Sequence, residues 1–191
     1  MNCRGLLWVA CLASACAARA PAVRAPVGSA EDYYPLAVGN HWTYTVNFLG
    51  DRSERRVEIV AERDGYYVDN EGGQLTVDAW GVRDQKRYLL REPIRTGASW
   101  SNVVSASSVE HYRVTSVGDA CRVPAGSFDR CVKVESRNRM DEQRTLVNQL
   151  TFAPSVGIVR IEVSLESGGK RVSQSALELK EFAVRPRPRA P

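Results

Sequence analysis

Pro35-Leu36-Ala37-Val38-Gly39-Asn40-His41-Trp42 and Pro93-Ile94-Arg95-Thr96-Gly97-Ala98-Ser99-Trp100 are two ungapped copies of one pattern, Pro-[Leu/Ile]-x-x-Gly-x-x-Trp. Each copy reads as the lead-in corner of a β unit. Pro35 or Pro93 ends the preceding element and fixes φ. Leu36 or Ile94 enters the core. Gly39 or Gly97 turns the chain where φ can be positive, and Trp42 or Trp100 opens a strand. A third corner of related design, Ala153-Pro154-Ser155-Val156-Gly157, carries Pro154 and Gly157 ahead of another strand.

Between the corners the hydrophobic period is two. Trp42, Tyr44, Val46 and Phe48 alternate with His41, Thr43, Thr45 and Asn47, which describes a strand with one buried face. Val57, Ile59 and Ala61 continue the pattern, Asp64-Gly65 is a two-residue hairpin signal, and Tyr66 to Asn70 follows. Leu75 to Ala79 and Tyr88 to Leu90 complete the first unit. The second unit runs through strands at 100–105 and 109–117, a hairpin at 122–137 around Pro124-Ala125-Gly126, and strands at 145–152 and 159–165. A last strand ends near Phe182. No stretch shows a capped 3.6-residue apolar stripe. The expectation is all-β: one antiparallel meander of about ten or eleven strands, curled into a barrel or half-barrel so that few edges stay exposed. A two-sheet sandwich is the alternative.

Composition bounds the rest. In 191 residues, 43% are hydrophobic, enough for one domain core. The net charge is +4, and 22 of the 26 basic residues are Arg, interleaved with acids along the strands. Nucleic-acid binding would gather that charge on one face or helix, so none is expected.

The N-terminus carries an address. A polar start with Arg4 precedes an apolar run from Gly5 to Ala15, too short to span a bilayer and shaped like a secretory signal. It ends in Leu12-Ala13-Ser14-Ala15-Cys16, which resembles the lipobox of bacterial lipoproteins. That resemblance implies cleavage before Cys16, a diacylglycerol on its thiol and a palmitate-type acyl chain on its amine. The competing reading is ordinary cleavage near Ala18 or Ala20. Two or three acyl chains anchor firmly, at roughly 0.8 kcal/mol per buried CH₂. Ala17, where Asp would retain a lipoprotein at the inner membrane, leans towards the outer membrane, facing the periplasm.

The expected organisation is therefore a signal peptide at 1–15, lipidated Cys16 with an Ala/Pro/Arg tether at 16–30, a β domain at 31–183, and an Arg/Pro tail at 184–191. Cys3 and Cys11 leave with the signal. Cys121 and Cys131 flank Gly126 evenly; a hairpin centred there would set them opposite each other within disulfide range. In an exported chain the pair is expected to be an oxidised structural staple.

No residue pattern names a reaction. Gly-x-Ser-x-Gly is absent, and the only histidines, His41 and His111, lack ligand spacing, so neither a catalytic residue nor a metal or cofactor is expected. Glu58, Glu62, Asp78 and Glu135 could serve a hydrolase only if the fold brought two of them together. The aromatic residues either fill the core or line a cleft for a lipid-like ligand.

Taken in order, Tyr34-Pro35-Leu36-x-x-Gly39-x-x-Trp42-x-Tyr44, Leu90-x-x-Pro93-Ile94-x-x-Gly97-x-x-Trp100, Val123-Pro124-Ala125-Gly126-Ser127-Phe128-x-x-Cys131 and Ala153-Pro154-x-x-Gly157-Ile158-Val159 resemble a family of bacterial envelope lipoproteins. Ser155 stands where that family often has Gly. The resemblance implies an all-β envelope domain with no established activity. The functional expectation is a non-enzymatic, lipid-anchored binding or assembly module for a lipid-like ligand or an envelope protein partner. The alternatives are a purely structural lipoprotein with a filled core and, more remotely, a hydrolase.

Overall fold

The computed structural model describes residues 28–185. The signal segment, Cys16, the tether up to residue 27 and the tail from residue 186 lie outside the described residues. A 3-10 turn at Ala30–Tyr33 leads into twelve strands: β1 His41–Phe48, β2 Asp51–Arg63, β3 Tyr66–Asp69, β4 Gln74–Asp78, β5 Gly81–Arg83, β6 Tyr88–Arg91, β7 Ser99–Ser105, β8 Ser108–Val123, β9 Gly126–Arg139, β10 Arg144–Ala153, β11 Gly157–Ser167 and β12 Lys170–Ala183. They form one antiparallel sheet in the order β6-β5-β4-β3-β2-β1-β12-β11-β10-β9-β8-β7. The meander is as expected, with twelve strands in place of about ten or eleven. Two local features differ from the expected strands, one adding a strand and one fusing two. The three-residue β5 is too short to show a period, and the stretches 109–117 and 122 onward are one long strand, β8, carried past bulges at Val114/Ser116, Val117/Asp119 and Asp119/Cys121.

The sheet closes between the first and last strands, where β1 pairs with β12 along its whole length. Its two edges, β6 and β7, are consecutive in the chain and joined by the Pro93 corner. The result is a nearly closed barrel of two six-strand halves, each introduced by one copy of the corner. The copies are alike in backbone as well as sequence. Gly39 (φ +90°) donates to Ile59 O at 2.8 Å, and Gly97 (φ +87°) donates to Val114 O at 2.8 Å. Asn40 N closes onto Ala37 O as Ala98 N closes onto Arg95 O. Leu36 and Ile94 are both buried. One difference is the cis Glu92–Pro93 bond. The Pro154 corner is of another kind, a tight hairpin turn between β10 and β11 that holds Ser155 at φ +59°.

The connections sort to two ends. At the first end lie the β2–β3, β4–β5, β8–β9 and β10–β11 turns, both corners and the C-terminus. This end is closed. Tyr33, Tyr34 and Leu36 are buried against Trp42, Phe152, Val156 and Ile94 in one core cluster. The tip of the β8–β9 hairpin folds over them: Ala125 N donates to Leu179 O, Phe128 packs on Phe182 at 6.0 Å, and the Tyr33 hydroxyl donates to Arg130 O. Cys121 and Cys131 are bonded within this hairpin, with Cα atoms 6.1 Å apart. They are not directly opposed as a hairpin centred on Gly126 would set them. Cys121 pairs with Phe128, and Cys131 pairs with Asp119. The bulges, with Arg130 at φ +62°, shift the register and bring the two sulfurs together diagonally. Ser29 and Ala30, placed in the tether by the sequence, belong to the domain: Ala30 is buried and donates to Glu92 Oε1 at 2.6 Å.

A Cβ built at Gly97 meets nothing within 4 Å, so substitution there costs backbone strain alone. Gly97→Ala is expected to lower stability by about 1–2 kcal/mol. Ser155→Gly, which relieves the same kind of conformation, is expected to be neutral or to raise stability by up to about 1 kcal/mol. Urea unfolding of the two variants checks both signs.

Candidate functional site

The second end, formed by the turns at 49–50, 70–73, 84–87, 106–107, 140–143 and 168–169, carries no plug among the described residues; its turn residues are exposed or half-buried. Residues that share the inward face can be followed around it strand by strand through the register. One row runs Asn102, Glu110, Asn138, Leu146, Leu165, Val172. The next runs Trp100, Tyr112, Ser136, Asn148, Val163, Ser175, Phe48. Both rows begin buried, with Asn102 at 6% and Glu110 at 7% exposure. They pass through half-buried positions on β10 and β11 and end in solvent, with Val172 at 57% and Phe48 at 56%. The β1–β2 and β11–β12 hairpins thus form a lip that presents Phe48 and Val172 to solvent, beside Ser175 and Asp51. Leu49, exposed in the β1–β2 turn, extends it, and Leu49 N holds the two hairpins together by donating to Gln174 O.

The buried side of this end is polar and fully used. The Glu110 carboxylate accepts from Arg87 Nε and from the Tyr112 hydroxyl, both at 2.9 Å. Burial, and then the neighbouring Glu110 charge, raises the Tyr112 phenol above its ordinary range, so it stays a donor. Asn102 spans the gap between the sheet edges: its Oδ1 accepts from Tyr88 N and its Nδ2 donates to Tyr88 O. Trp100 Nε1 donates to the same carbonyl at 2.8 Å. Side chains of β7 and β8 therefore satisfy the β6 backbone where a strand ladder would otherwise do so. Further along the same face Asn148 donates to Ser136, and Ser108 bonds Asn138.

The carboxylates that could have served a hydrolase do not converge. Glu58 pairs with Arg56, Asp78 is held by Arg83 and Tyr88, Glu135 pairs with Arg137 and Arg171, and Glu62 is exposed near the end of β2. Glu135 belongs to an outer-face network with Arg137, Glu166 and Arg171 that shields the buried Val147. The hydrogen bond from Arg137 holds the Glu166 carboxyl below its ordinary value. Among the described residues, no three His, Cys, Asp or Glu side chains are grouped to hold a metal ion.

His41 faces Gly39 O. His111 makes one contact that sequence spacing did not suggest, with its Nδ1 2.9 Å from Ser101 Oγ across the β7–β8 ladder. The pair is exposed on the outer sheet face, and no carboxylate among the described residues bonds the ring. This arrangement lacks the orienting group that nucleophile activation needs.

Glu110 is the residue that sequence reasoning passed over. Its signal was its phase: Glu110, Tyr112 and Val114 share one face of β8, which sets a carboxylate among inward side chains. Glu110→Ala is expected to lower stability by about 2 kcal/mol, because the buried Tyr112 hydroxyl loses its acceptor and Arg87 keeps only its longer pair with Asp84, at 3.4 Å. Glu110→Gln, which keeps an acceptor, is expected to lose less. Denaturant unfolding of the two variants checks the order.

No protein-family model and no curated protein matches the chain. Two crystal structures are similar to it. One is of a protein named as a lipoprotein, from Parabacteroides distasonis ATCC 8503, with 13% identity, a TM-score of 0.42, and cover of 80% of this chain and 98% of that one. The other is of a protein named as exported, with a YmcC-like fold, from Bacteroides fragilis NCTC 9343, with 14% identity, a TM-score of 0.42, and cover of 80% and 99%.

Proposed function

We propose that this protein is a non-enzymatic binding or assembly module of the bacterial cell envelope, anchored by lipid on Cys16 and acting through the apolar lip at its open end. The observation that carries the reading is the run of inward-facing positions that ends in exposed Val172 and Phe48, with Leu49 beside them. Fully burying a Phe, Leu or Val side chain contributes about 1.5–3 kcal/mol; with Phe48 and Val172 already close to half covered, each has roughly half of that left to gain, and three such residues together can hold an acyl chain or an apolar segment of a partner. The aromatic cluster of Tyr33, Tyr34, Trp42 and Phe152 fills the closed end, which favours docking at the lip over a ligand enclosed in the barrel. It also keeps a second reading in view, a structural lipoprotein whose surface alone is used. Anchoring rests on the lipobox-like run before Cys16, and Ala17 favours the outer membrane, facing the periplasm.

The test is photocrosslinking in the envelope from positions 48 and 172, joined to native mass spectrometry of the chain purified without detergent. A lipid mass released on denaturation, or one protein adduct common to both positions, is the expected result. Phe48→Asp should abolish the lipid mass and the adduct from position 172 without unfolding the domain. No adduct at either position and a bare mass would leave the structural reading in its place.

A further inference from the structure

The described Trp residues are of two kinds. Trp42 and Trp100 are buried, each with its indole N–H bonded to a carbonyl. Trp80, at the β4–β5 turn, is 61% exposed, and among the described residues its indole N–H has no partner. The turn that displays it is held firmly. Trp80 N donates to Asp78 Oδ1 at 2.8 Å, Glu92 N donates to Trp80 O at 2.9 Å, and the Asp78 carboxylate is fixed in turn by Arg83 and Tyr88. Gly81, at φ +144°, lies so close to β6 that a Cβ would come within 2.0 Å of Leu90 O. The indole is therefore mounted on a rigid tip, and little backbone freedom would be lost on contact.

Its position indicates what it meets. Trp80 sits at the closed end, beside a groove lined by Ser29, Ala30, Glu31, Ala79 and Glu92, where the N-terminal segment joins the barrel. Twelve residue steps separate Cys16 from Gly28, which limits their separation to about 40 Å. An anchor on Cys16 keeps this end, and not the lip, at the bilayer surface. Trp prefers the boundary between lipid headgroups and acyl chains, where an apolar ring and one N–H donor are both accommodated. Glu31, Asp78 and Glu92 nearby suit a zwitterionic surface better than an anionic one.

We propose that Trp80 is a membrane-contact residue: its indole enters the lipid–water boundary and sets the barrel with the closed end towards the bilayer and the lip away from it. This rests on the anchoring of Cys16 proposed above.

The experiment uses the full mature chain carrying its own lipid, with residues 1–15 removed, in phosphatidylcholine vesicles with and without brominated acyl chains. Flotation reads the anchor, and Trp emission reads the contact. The expected result is a floating chain whose emission drops in brominated vesicles, a drop that Trp80→Phe loses while still floating. A floating chain with equal emission in both vesicles overturns the proposal and leaves the anchor standing. A chain that does not float overturns both.

Discussion

Two indole hydrogen bonds, one from each corner, reinforce the halves of this barrel that the β1–β12 ladder joins. Trp42, at the start of the first half, donates to Val156 O in the β10–β11 turn of the second, at 2.6 Å. Trp100, at the start of the second half, donates to Tyr88 O on β6 of the first. Each corner thus serves the opposite half. A single bond of this kind contributes about 1 kcal/mol net, but leaving a buried carbonyl unpaired costs more than the bond itself is worth. The constraint is sharpest at the seam. β6 has four residues and β7 seven, and the corner between them keeps them from forming a ladder. Trp100, Asn102 and the Arg87–Glu110 pair take over the role of the missing ladder from within.

From that closure follows the difference between the ends. The first end gathers the 3-10 turn, the corners, the disulfide-linked hairpin and most of the large aromatic side chains. The second has only turns, and the inward rows pass from packed core to solvent as they move away from the seam. Strand hairpins with few buried neighbours open most readily, so the lip is also the part of the molecule freest to change shape. Rigid closed end and adaptable open end make one arrangement, and the anchor proposed on Cys16 would attach at the former.

Much of this was legible in the sequence, and particular residues explain the rest. The repeated Pro-x-x-x-Gly-x-x-Trp pattern identified both corners because it needs φ near +90° at Gly39 and Gly97, which few other residues allow. Period-two alternation put Trp42, Tyr44, Val46 and Phe48 on one face, correctly, but alternation reports a face and not how far the core extends along it. Phe48 lies past the point where the core ends. The Cys121–Cys131 link is present, but not as the opposed pair a symmetric hairpin implies, because bulges depend on side-chain packing and left no mark on the pattern of apolar residues. The seam was invisible for the same reason: Asn102 reads as an ordinary strand amide until its distance from Tyr88 is known.

The reciprocal hold of the corners can be tested directly by amide hydrogen exchange in Trp100→Phe, which keeps a ring in the core and removes only the N–H. Protection is expected to fall along the seam, in Gly81–Arg83, Tyr88–Arg91 and Ser99–Ser105, while the β10–β12 ladders keep theirs. Seam amides that exchange no faster than in the unaltered chain, or a loss of protection spread evenly through the sheet, would contradict it.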